Sequence, residues 1–242
     1  MKPFLLLATR PEDDAADAEY ASFLRFAGLR ADELVRFRLD REPLPPLDLE
    51  DFSGIFLGGS PFNSSDRSKS ELQLRVESDL RALLDRVVMR DFPFFGACYG
   101  VGTLGLHAGG VVDSTYSEQV SAVEVTVTPE GREDPLLAGM PESFAAYVGH
   151  KEALSSLPPG AVLLATARAC PVQMFRLGEN MYATQFHPEL DEDALIQRIQ
   201  VYANHGYFAP EAREAVISGV RGAPVRQVHE LLAAFVRRYA RD

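Results

Sequence analysis

Apolar positions fall along this chain in two textures. In the first half, short apolar runs alternate with longer amphipathic stretches. Residues 3–9 (PFLLLAT) predict a buried strand. Residues 12–28, where Ala15, Ala16, Ala18, Tyr20, Phe23, Leu24 and Phe26 recur among acids, predict an amphipathic helix. Residues 33–39 alternate as a strand nearer an edge would. A proline-rich loop leads to residues 54–57 and the turn Gly58-Gly59-Ser60-Pro61. Residues 68–90 predict a long helix ending before the apolar run Phe92-Pro93-Phe94-Phe95. Strands alternating with helices imply βαβ units and a parallel sheet with right-handed crossovers, which binds ligands at the carboxyl ends of its strands. The Gly58-Gly59 turn and the segment after Phe95 would then share one rim.

After Gly110 the texture changes. Residues 120–128 (VSAVEVTVT) alternate as a half-exposed strand, and 144–148, 161–166, 172–177 and 180–185 predict short strands separated by turns such as Pro158-Pro159-Gly160. This half reads as β-rich, partly antiparallel and folded onto the same domain. Residues 190–202 predict a helix. A further amphipathic helix at 225–239 belongs to a tail with no chemistry of its own to read.

Composition narrows the classes. A chain of 242 residues, 46% hydrophobic and 24% charged, is ordinary for one sizeable α/β domain or two small ones. Its net charge of −11 argues against nucleic acid or an anionic membrane as partner. No long apolar run suggests a membrane span, and the first residues turn acidic too soon for a signal peptide. Two cysteines, Cys98 and Cys170, are too few for a disulfide framework or a four-thiolate metal site, so a reduced, cytoplasmic setting is expected. No metal-ligand spacing and no G-x-x-x-x-G-K-[ST] phosphate loop is present, and no cofactor is expected.

The candidate chemistry starts at Gly96-Ala97-Cys98-Tyr99-Gly100, directly after an apolar strand. Small residues two before and two after a nucleophile suit a sharp strand-to-helix turn, where the central residue is strained and exposed. A helix N-terminus there would favour a thiolate. A structural cysteine beside an ordinary βα turn fits the same spacing. Cysteine catalysis also needs a base and a group to orient it. Among His107, His150, His187, His205 and His229, the third lies in Gln185-Phe186-His187-Pro188-Glu189, where Glu189 could turn back onto the imidazole and fix its tautomer. A surface His-Pro turn is the other reading. His107 and Cys170 read as structural, and His150 with Glu152 as structural or partner-facing.

Taken together, G-x-C-x-G after an apolar strand and a later Q-F-H-P-E resemble the class I glutamine amidotransferases. Leu57-Gly58-Gly59-Ser60-Pro61 is similar to that family's oxyanion-strand turn. Residues 147–160, YVGHKE…LPPG, are similar to a stretch in the glutaminase part of GMP synthetases. The resemblance covers roughly residues 50–200. It implies a flavodoxin-like, open and mostly parallel sheet flanked by helices with a small antiparallel addition, formed by residues 1–205, with residues 206–242 as a helical extension packed on the same domain. It also implies that Cys98 attacks the side-chain amide of glutamine, that His187 is base and then acid with Glu189 orienting it, and that backbone N–H groups of Gly59 and Tyr99 form the oxyanion hole.

The chain also departs from that pattern. Gly102 stands where the family usually has a substrate-binding Gln, and Gly149 where it commonly has Ser. Loss of a side-chain amide removes hydrogen bonds of roughly 0.5–1.5 kcal/mol each. The resemblance implies glutamine as substrate, with ammonia passed to a separate synthetase subunit or released, whereas the altered pocket speaks for γ-glutamyl amide chemistry in general. The alternatives are a γ-glutamyl peptide or conjugate with water as acceptor, or a non-catalytic regulatory role.

Overall fold

The computed structural model describes residues 1–205 and 208–242. The first apolar run becomes strand β1 (Phe4–Ala8), buried at every residue because it lies inside the sheet. It pairs in parallel with β2 (Leu34–Arg38), which is the edge, and with β3 (Ile55–Leu57). β4 (Phe94–Ala97) runs parallel to β3, and β11 (Met181–Thr184) parallel to β4.

Beyond β11 the same sheet continues antiparallel through β10 (Met174–Leu177), β9 (Val162–Thr166), β6 (Glu118–Val127) and β7 (Ser143–His150). It has nine strands in the order β2-β1-β3-β4-β11-β10-β9-β6-β7. The β-rich second half thus extends the parallel sheet. The separate antiparallel addition is only the pair β5 (Val111–Asp113) and β8 (Ala153–Ser156). Neither was anticipated, since strands of three and four residues are too short to display a period of two.

Alternation along the parallel strands sorts the core into two layers. Phe4, Leu6, Phe56, Phe95 and Tyr182 face one side, with Phe23 of α1 (Asp13–Ala27) and Phe235 of α7 (Glu230–Tyr239). Leu5, Leu7, Ile55, Leu57 and Phe94 face the other, with Leu80 and Leu84 of α2 (Glu71–Arg90) and Leu104 of α3 (Tyr99–His107). The remaining helices are α4 (Pro129–Glu133), α5 (Glu192–Val201) and α6 (Arg213–Val220).

Helix α2 begins where Ser70 Oγ accepts the Gln73 N–H at 3.1 Å. It ends at Asp91, in the left-handed region at φ 47°, whose carboxylate accepts the N–H groups of Glu179 and Asn180 in the β10–β11 turn. One residue thus stops the helix and anchors a hairpin.

The tail, whose role the sequence left open, contributes to the core. The Phe235 ring lies 5.2 Å from Phe56 and 5.6 Å from Phe95, and Lys2 N–H donates to Arg241 O at 2.7 Å. The boundary expected after residue 205 falls at Gly206 and Tyr207, outside the described residues.

Removing a buried Phe costs about 3–5 kcal/mol. Phe235→Ala should lower stability by that amount in urea unfolding, whereas a loss under about 1 kcal/mol would make α7 an appendage.

Candidate active site

Register brings the expected residues to one rim. Leu57 pairs with Gly96, and Ala97 with Thr184. The turn after β3, the elbow after β4 and the loop after β11 therefore leave the sheet side by side. Cys98 adopts φ 53° and ψ −86°, and its N–H donates to Thr184 O at 2.7 Å. A Cβ on Gly96 would lie 2.7 Å from Gly100 Cα, so the bend leaves no room for a side chain there. The first glycine of G-x-C-x-G is thus a packing requirement of the elbow, and the thiol at its apex is half-buried.

His187 is held from two directions. Its N–H donates to Tyr147 O of β7 at 2.9 Å, and its ring Nδ1 lies 2.7 Å from Glu189 Oε1. The ring also faces the Cys98 thiol across the cleft that both line. With Nδ1 given to Glu189, Nε2 is the nitrogen left for sulfur. His187 and Glu189 are both buried. Burial alone would lower the His187 pKa, but Glu189 and Cys98, by charge and hydrogen bond, together raise it to about 9. Burial would likewise raise Glu189, but His187 and then Arg198 hold it well below the usual carboxylate range.

Beneath this pair lies a charge network that no sequence motif marked. Arg198 of α5 reaches Glu189 Oε1 at 3.1 Å and Glu19 Oε1 at 3.5 Å. Glu19 of α1, fully buried, pairs with Arg10 at 2.9 Å and accepts the Gly59 N–H at 3.1 Å. A Cβ on Gly58 would collide with the Glu19 carboxylate, and one on Gly59 with the Arg10 guanidinium. The Gly-Gly turn is therefore small because a buried ion pair packs against it. The Gly59 N–H, expected to face an oxyanion, is directed to Glu19. Tyr99 N–H stands in the first turn of α3, where helix N–H groups lack intrahelical acceptors.

Gly102 is also accounted for. A Cβ there would lie 3.1 Å from Ser64 Oγ and 3.4 Å from Glu152 Oε1. The Glu152 carboxylate accepts the N–H groups of Ser64 at 2.5 Å and Ser65 at 2.7 Å. That clasp fills the space a longer side chain at 102 would need.

His150 is buried with Nε2 2.9 Å from Glu118 Oε2, which also accepts from Gln173 Nε2 at 2.7 Å. Cys170 completes a group whose ligand-type atoms lie within 4.8 Å of one another, a proximity the sequence concealed because the three residues belong to separate strands and loops. Burial, and then Glu118, push the Cys170 thiol up to about 12, which leaves it protonated and unreactive.

Two clefts meet at Cys98, sharing Ser60, Cys98 and Gly149. One is polar and includes Asn63, His150, Glu152 and Gln185. Gln185 is buried and its Oε1 has no protein hydrogen-bond partner. The other includes His187 and is walled by Val120, Val148, Leu190 and Ile199. Among the described residues no helix is long and apolar enough to cross a membrane.

Comparison with known proteins agrees with this geometry. Residues 33–199 match the family model for glutamine amidotransferase class-I. The chain is 33% identical over 146 residues to a glutamine-hydrolyzing GMP synthase of Porphyromonas gingivalis, covering 60% of this chain and 26% of that protein. It thus spans about a quarter of that relative's length. It is 26% identical over 174 residues to a glutamine-hydrolyzing GMP synthase subunit of Thermoplasma volcanium, covering 71% of this chain and 79% of that one. A glutamine amidotransferase from Thermotoga maritima shares the fold over 100% of both chains, at TM-score 0.78 and 16% identity. One from Methylobacillus flagellatus does so at TM-score 0.74 and 19% identity, over 100% of this chain and 97% of that one. With the family model spanning well over half its length, the chain belongs to the class I glutamine amidotransferases and is an enzyme of their cysteine-dependent kind.

Proposed function

We propose that this protein hydrolyses a γ-glutamyl amide through a γ-glutamyl thioester on Cys98, with glutamine as the reference substrate. The reading rests on one arrangement: His187, 2.7 Å from Glu189, lines one cleft with a cysteine at a strained strand-to-helix elbow. Cys98 Sγ gives its proton to His187 and attacks the amide carbon. The tetrahedral oxyanion receives the Tyr99 N–H, and each such donor typically contributes around 3 kcal/mol. The imidazolium of His187 then protonates the departing nitrogen and the C–N bond breaks. Neutral His187 next takes a proton from water, which cleaves the thioester to glutamate and regenerates the thiol.

Glu189 orients the ring and stabilises its cationic form. Gly102 supplies no side-chain hydrogen bond, so the polar cleft must hold the amino-acid end through other groups, among them Gln185. The name of the Thermoplasma relative, one subunit of a GMP synthase, supports passing ammonia to a separate synthetase. Residues 206–242 are read as an extension of the same domain.

Glutamate release from L-glutamine and from γ-glutamyl dipeptides tests the reaction. Cys98→Ala should reduce it by at least about 10³-fold. Full turnover by that variant would refute the mechanism. A regulatory, non-catalytic role would instead require that wild type release no glutamate and that iodoacetamide leave Cys98 unmodified.

The pH profile follows from His187. Its imidazolium, the acid for the leaving nitrogen, persists below about pH 9, so turnover should hold from neutral pH and fall as pH rises through about 9. Glu189→Gln removes a charge that raises this pKa, so the falling limb should move to lower pH and kcat drop by about 10²–10⁴. An unmoved limb would argue against this role for Glu189.

A further inference from the structure

The two clefts at Cys98 differ in chemistry, and only one includes His187. Thioester formation requires His187 to deliver its proton to the departing nitrogen, so that nitrogen must leave on the His187 side. Ammonia needs no more than a water-sized space there. Instead the nitrogen would enter a cleft of about 40 Å³, room for roughly three waters, walled by Val120, Val148, Leu190, Leu195 and Ile199. Four of these five, all but Val120, are nearly inaccessible to solvent, so the wall is firm.

Two arginines also border this cleft. Arg198 is bound to Glu189 and Glu19, and Arg10 to Glu19. Their charge is spent within the protein, which disfavours a leaving group carrying its own carboxylate, as in a γ-glutamyl dipeptide. Gly149 bears on the same wall: a Cβ there would lie 3.0 Å from Val120 Cγ2, so the glycine admits Val120 into the cleft.

We infer that the His187-side cleft is a subsite for a small apolar amine, and that the preferred substrate is a γ-glutamyl amide bearing a short uncharged alkyl group on nitrogen. This rests on the hydrolase reading above and specifies its leaving group. Cys98 Sγ bonds to the γ-carbon, the C–N bond breaks, and the nitrogen takes the His187 proton to depart as R–NH2. Water then converts the thioester to glutamate and free thiol, so no oxidant or further reactant is required.

The test compares glutamate release by the whole chain from L-glutamine, γ-glutamyl-propylamide and γ-glutamylglycine. The propylamide should exceed both others in kcat/KM by at least about tenfold, the scale on which apolar pockets discriminate. Ile199→Trp, which narrows the cleft, should reduce the propylamide-to-glutamine ratio by about tenfold or more. Should that variant fail to fold, Ile199→Ala, which widens the same wall, should shift preference toward γ-glutamyl-isopentylamide. Glutamine turned over as well as the propylamide, or a preference unmoved by the Ile199 variant that folds, would overturn the amine subsite while leaving the hydrolase reading intact. No glutamate from any of the three substrates would overturn both.

Discussion

Much of this site depends on the backbone of one residue. Cys98 sits at φ 53° and ψ −86°, a conformation that costs a residue with a side chain on the order of 1–3 kcal/mol. It persists because its surroundings over-determine it. Ala97 is fixed in register with Thr184, the Cys98 N–H is bound to Thr184 O, and α3 begins at the next residue, its Gly100 backbone pressed so close that Gly96 cannot carry a side chain. Thr184 also lies three residues before His187. The ladder that strains Cys98 therefore also sets the position of His187, and the His187 N–H bond to Tyr147 O fixes that loop from the β7 side. Distance between sulfur and imidazole is thus a property of the sheet centre, rather than of two flexible loops.

Placing a carboxylate behind the imidazole creates an electrostatic problem, because Glu189 is fully buried and a lone buried charge is expensive. The solution is alternation: Glu189 touches Arg198, Arg198 approaches Glu19, and Glu19 binds Arg10. Two cations offset two anions, which keeps Glu189 ionised despite its burial and so keeps His187 cationic beyond neutral pH. The network has a geometric consequence as well. Glu19 and Arg10 occupy the space above which Gly58 and Gly59 turn, so the shape of the rim and the charge of the base are settled by the same buried groups.

What was legible in the sequence was what is local. The elbow glycines and the His-Pro-Glu step act over five residues or fewer, so their spacing carries their geometry, and long elements such as β1, α1 and α2 showed their periods. What was hidden depends on distant partners. Glu19 looks like one more acid on a solvated helix face until the fold sets Arg10 and Arg198 against it. The Gly58-Gly59 turn was read as an oxyanion-strand turn on the ligand rim, whereas the ion pair beneath is what excludes side chains, and the Gly59 N–H is turned to Glu19 accordingly. The antiparallel strands β6, β7, β9 and β10 were each foreseen, but pairing order is not written in alternation, so their joining the parallel sheet was not. Glu118, His150 and Cys170 met only through folding.

The two glycines that depart from the family pattern act in opposite senses. At Gly102 the missing side chain leaves no vacancy, since Ser64 and Glu152 lie 3.1 and 3.4 Å from where a Cβ would be, and the Glu152 carboxylate is already engaged by two backbone N–H groups. The polar cleft is thus closed in by a clasp between the loop after β3 and the turn after β7. At Gly149 the missing side chain leaves Val120 its place in the wall of the His187-side cleft, and the two clefts share Gly149, Ser60 and Cys98. One change takes a hydrogen-bonding side chain from the amino-acid side, and the other makes the leaving-group side more apolar. Because the elbow, His187 and Glu189 are held by the sheet and the buried charges, neither change needs to disturb them. Chemistry anchored in the core can stay fixed while the walls around it are rebuilt.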